Sequence, residues 1–80
     1  MVTPADLLAE IGQALFGAEF RTQLAAAINV NERTVRRWLA GDGTPGPGVW
    51  ADLEALCMLR RKALHELALA SDKARVATGQ

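Results

Sequence analysis

Residues 21–41 read RTQLAAAINVNERTVRRWLAG, and their spacing decides the fold: two short helices joined by a tight turn, the second carrying three arginines. Leu24 and Ile28 stand one turn apart, as do Val35 and Leu39, so each segment offers apolar side chains to a crossing partner. Ala25 falls where the two helices approach most closely, and a larger side chain there would push them apart. Asn29 stands at the turn, where the backbone needs a left-handed residue and Asn is, after Gly, the most tolerant. Asn31 restarts the chain as an N-cap, with Val30 and Val35 spaced around it as a hydrophobic staple. Gly41 supplies the stop.

On the second helix Arg33 and Arg37 are one turn apart, so both guanidinium forks can enter one major groove, where bidentate pairing of Arg with guanine is the commonest specific contact. Arg36 lies about 100° round the helix from Arg37 and suits a phosphate. The competing reading is a solvated basic face, and the turn and spacing together weigh against it. Glu32 has two roles open to it, accepting from a cytosine amine or complementing the helix dipole. For Asn31 capping is favoured over base contact.

The stretch LAAAINVNERTVRRWLAG, residues 24–41, resembles without a gap the helix-turn-helix of the lambda-repressor/Cro-like (XRE-type) DNA-binding domains. The resemblance implies that Asn31, Glu32, Arg33 and Arg37 reach base edges, with Thr34 and Arg36 on the flanking phosphates. It also places Arg21, Thr22 and Gln23, at the start of the first helix of the pair, against a phosphate. Two departures stand out: Asn29 where the family usually has Gly, and Trp38 where it usually has a smaller aliphatic residue, which implies a differently filled core.

Zero net charge over 80 residues says little until it is divided. Asp6, Glu10 and Glu19 make the first twenty residues acidic, whereas Arg21, Arg33, Arg36 and Arg37 outnumber Glu32 in the motif. The remainder is balanced, so excess positive charge is local to the helix pair, as expected of a DNA-facing surface. A chain this short buries only about 60–65% of its unfolded surface, which makes dimerisation a natural source of stability. One cysteine excludes an internal disulfide, and no apolar run approaches the ~20 residues of a membrane span. With no basic leader before an apolar core, a cytoplasmic protein is expected.

Thr3-Pro4-Ala5-Asp6 is a helix start, Thr3 capping, Pro4 in the first helical position and Asp6 completing a capping box. Leu7, Leu8, Ile11, Ala14 and Leu15 follow at helical spacing to Gly17, while Phe16 and Phe20 flank the break and should fill the gap between the first two helices. After the motif, GDGTPGPG at 41–48 carries too many breakers for regular structure. It reads as a connector in preference to a loop laid along a phosphate backbone.

From there a long helix can run to about residue 70, with Val49, Trp50, Leu53, Leu56, Cys57, Leu64 and Leu67 on one stripe. Met58, Leu59 and Leu69 fall off that stripe and Arg60 falls on it, so one apolar face does not describe the helix. Either its second half, with Leu59, Leu64 and Leu67, meets a partner subunit, or a two-sided core forms with a bend near Arg60. Arg60-Arg61-Lys62 is too short a basic run to specify a site. Cys57 has no second Cys or nearby His for a metal or catalytic pair, and His65 stands alone on the charged side. Trp38 and Trp50 are core candidates before they are base-stacking platforms.

These readings predict an all-α fold of four helices, near 4–16, 19–28, 32–40 and 48–70, in a DNA-binding domain spanning 1–70 with a flexible tail at 71–80. The expected function is sequence-specific binding to double-stranded DNA by a symmetric homodimer on an inverted-repeat operator with half-sites about one helical turn apart, repressing by occlusion. No cofactor, no metal and no membrane enter this scheme. Without clustered carboxylates to hold catalytic metal ions, no enzyme activity is expected. A chain without an effector domain looks like the small autoregulators of phage, plasmid and other mobile-element operons, including Cro-like and anti-CRISPR-associated repressors. Two other readings stand beside it: an antitoxin-like helical interaction module whose arginines meet an acidic protein, and a DNA-binding accessory of a recombinase or transposase system.

Overall fold

Four helices follow one another with no strand among the described residues: α1 (Pro4–Phe16), α2 (Phe20–Ala27), α3 (Glu32–Leu39) and α4 (Pro47–Ala77). The computed structural model describes residues 2–79. The first three helices match the sequence expectation to within a residue at each end. α4 starts at Pro47 and runs to Ala77, so residues 71–77 belong to the helix and not to a flexible tail.

Local chemistry sets each boundary. The capping box forms as the sequence requires, the Asp6 amide donating to Thr3 Oγ1 at 3.1 Å and the Thr3 amide to Asp6 Oδ2 at 3.4 Å. α2 ends in a Schellman turn: the Val30 amide donates to the Ala25 carbonyl at 2.9 Å and the Asn29 amide to that of Ala26 at 3.3 Å. Asn29 takes the left-handed position with φ 58° and is the one non-glycine with positive φ among the described residues. α3 closes in the same way on Gly41, φ 85°, with Asp42 donating to the Arg37 carbonyl at 2.9 Å. We expect Asn29→Ala to destabilise the fold by about 1 kcal/mol, the cost of a Cβ without a compensating polar side chain in left-handed backbone, while Asn29→Gly leaves thermal melts nearly unchanged.

Leu8, Phe20, Leu24, Ala25, Ile28, Val35 and Leu53 form the buried cluster, so all four helices contribute to one core. Half-buried Trp38 and Trp50 pack against it, as do Phe16 and Val30. Leu7 and Ala14, expected on the apolar stripe of α1, are exposed; Gly12 takes the buried place between Leu8 and Leu15. At Gly12 a Cβ would stand 2.2 Å from Phe20 Cδ1, so the ring of α2 lies directly on the backbone of α1.

Only the first part of α4 joins this core. Val49, Trp50, Leu53 and Leu56 pack on it, whereas every residue from 58 to 79 is exposed. At 1.5 Å per residue α4 is roughly 46 Å long. It therefore accounts for the 54 × 26 × 22 Å extents and for a radius of gyration of 16.1 Å, against about 12 Å for a compact chain of this length. The two-sided intramolecular core expected as one alternative is not formed: α4 continues past Arg60, and no described residue beyond it is buried.

Arg60 itself is explained. Its guanidinium Nη2 donates to the Leu15 carbonyl at 2.7 Å, satisfying a backbone acceptor in the last turn of α1. A cation at a helix C-terminus also complements the dipole. Arg60 thus fastens α4 to α1 at the point where the long helix leaves the core.

A candidate nucleic-acid interface on the third helix

α3 is seated by Val35, fully buried, with half-buried Trp38 and Leu39 beside it. Counting about 100° per residue from Val35, Arg33 lies near 160° and Arg37 near 200°, diametrically opposite the core. Both are exposed, one turn apart on the outward ridge of a short helix fixed from below. Arg33 makes no ion pair among the described residues. Arg37 Nε donates to Asp42 Oδ2 at 3.3 Å, which ties it to the start of the following loop and leaves both terminal nitrogens of its fork outside that bond.

The other two base-edge candidates are engaged within the protein. Asn31 Oδ1 accepts from the Arg33 amide at 2.8 Å, so its oxygen serves as the N-cap. The half-buried Glu32 carboxylate accepts from Thr22 Oγ1 at 3.1 Å through one oxygen and from Arg36 Nη2 at 2.6 Å through the other. Glu32 therefore links α2 to α3 across the turn, a role that neither the dipole reading nor the base-contact reading contained. The only hint in the sequence was a hydroxyl residue in the first turn of one helix and an acid in the first turn of the next.

The phosphate candidates divide likewise. Arg21, Thr22, Gln23 and Arg36 are exposed and Thr34 is half-buried. Arg21 holds its guanidinium 5.4 Å from the centroid of the Phe20 ring. Thr22 and Arg36 share Glu32, which lowers the net charge at that corner. No side chain caps the N-terminus of α2, whose first-turn amides carry the positive end of the helix dipole. The loop 41–46 contributes Asp42, and its buried Pro45 feeds the chain into α4.

Elsewhere the chemistry is sparse. Among the described residues there is no group of three or more His, Cys, Asp or Glu able to hold a metal ion. No described helix is long and apolar enough to cross a membrane. Cys57 is a free, half-buried thiol and His65 is exposed. No protein-family model, curated protein or solved structure matches this chain.

Proposed function

We propose that the chain is a sequence-specific reader of double-stranded DNA, acting as a homodimer on an inverted-repeat operator to repress transcription in the cytoplasm. One observation carries this reading. Arg33 and Arg37 stand one turn apart on the face of α3 opposite Val35, with α2 crossing behind through a Schellman turn. A helix presented in this way fits the major groove, and two guanidinium forks at that spacing suit guanine edges. The uncapped start of α2, with Arg21 and Gln23 exposed, supports a phosphate contact that fixes the register. The resemblance of residues 24–41 to lambda-repressor/Cro-like motifs supports the same reading.

The test is binding of the purified chain to DNA from upstream of its own gene and to scrambled DNA of equal length, at fixed near-physiological salt. A preference of about 1,000-fold or more is expected of a specific regulator. Equal, weak binding to both would leave the arginines as a general basic face and favour a helical module that binds another protein.

A further inference from the structure

From Leu59 to Ala77 every residue of α4 is exposed, Leu59 66%, Leu64 56% and Leu67 63%. Ala63, Leu67, Ala70, Ala74 and Ala77 alternate in steps of four and three, the spacing of a coiled-coil seam. Leu64 borders the seam on one side; Leu59, Glu66 and Lys73 border it on the other. We infer that this seam receives the same segment of a second copy in antiparallel order, with Leu67 facing the partner's Ala70 and Ala63 facing the partner's Ala74. The inference rests on the homodimer proposed above but not on its reading of DNA.

Three features favour this occupant and this direction. The register places Glu66 against the partner's Lys73 along one border, and the twofold axis repeats the pair. A parallel pair would set Glu66 and Lys73 beside uncharged residues and join no opposite charges on its borders. The overlap of residues 60–77, about 27 Å long, takes up the whole length of α4 between its last anchor to α1 and its end.

The basic run Arg60-Arg61-Lys62 also acquires a role. Antiparallel packing brings the negative end of the partner's α4 beside these residues, and cations there complement its dipole. An open apolar cleft lined by Leu15, Phe16, Leu56, Leu59, Arg60 and Ala63 lies at the same place, where the tip of the partner helix arrives.

Sedimentation equilibrium of the full chain up to about 100 μM tests both surface and register. The wild type is expected to dimerise. Glu66→Lys and Lys73→Glu, each placing like charges across the seam twice, should weaken the dimer about tenfold or more, and the double reversal should restore it. Both substitutions lie on exposed positions outside the core, and circular dichroism checks that the helices persist in all three variants. A monomeric wild type overturns the inference. So do single reversals without effect, or a double reversal no tighter than either single. A monomer that still prefers its operator would separate this failure from a failure of the DNA reading.

Discussion

Gly12→Ala should lower the melting temperature by about 10 °C, a large response to a single methyl group. The added Cβ would meet three atoms of the Phe20 ring, Cδ1 at 2.2 Å, Cε1 at 2.6 Å and Cγ at 2.7 Å. Phe20 is 2% exposed in the same cluster as Leu8 and Leu24, so the ring cannot step aside without displacing them. Overpacking of this kind costs about 3 kcal/mol at the upper end of its usual range. Ala gains about 1 kcal/mol over Gly in helix propensity, which leaves roughly 2 kcal/mol, and each kcal/mol shifts the midpoint of so small a domain by about 4–8 °C. Adding Phe20→Leu should return part of the loss, because it vacates the space the methyl group needs. A melt unchanged by Gly12→Ala would mean that α1 and α2 are not in close contact there.

On the preferred DNA site, Arg33→Ala and Arg37→Ala should each cost about 1–3 kcal/mol, with a smaller loss on random sequence. Both side chains stand opposite Val35 and project from a helix held in place by its cap and by the Glu32 link. Arg37→Lys should recover little of the loss, since an ammonium group cannot make a bidentate pair. Arg36→Ala should instead weaken all sequences alike and reduce the salt slope by about one, the behaviour of a phosphate contact. Equal losses on preferred and random DNA for Arg33→Ala and Arg37→Ala would reassign those two arginines to the backbone. Titrations at two salt concentrations on each DNA distinguish these outcomes.

The turn between α2 and α3 was legible because its determinants are local. Asn29 and Asn31 announce a left-handed residue and a cap, and Ala25, Val30 and Val35 are small or apolar where a crossing needs them. Contacts between distant residues were harder to read. Gly12 has no side chain by which an apolar stripe is recognised, although an isolated glycine inside a helix is itself a sign of close approach. Arg60 interrupts the apolar stripe of α4 for a reason that lies 45 residues earlier, in the Leu15 carbonyl that accepts its bond. The end of α4 was misjudged because Ser71, Asp72 and Lys73 look like surface. Polarity does not end a helix, however, and Lys73, Ala74, Arg75 and Ala77 are good helix formers with an Arg75–Asp72 pair among them.

The unbroken course of α4 also limits how this architecture can change in evolution. Each residue inserted beyond Arg60 would advance the far end by about 1.5 Å and turn every later side chain by about 100°, carrying Leu67 and Ala70 off their common face. Two turns come nearly full circle in seven residues, so the arm can lengthen or shorten with its apolar face intact in steps of about 10.5 Å. In a pair joined through this arm, each such step would move the two domains about 10.5 Å further apart. The length of one helix would then set the distance between the two domains, adjustable only in whole notches.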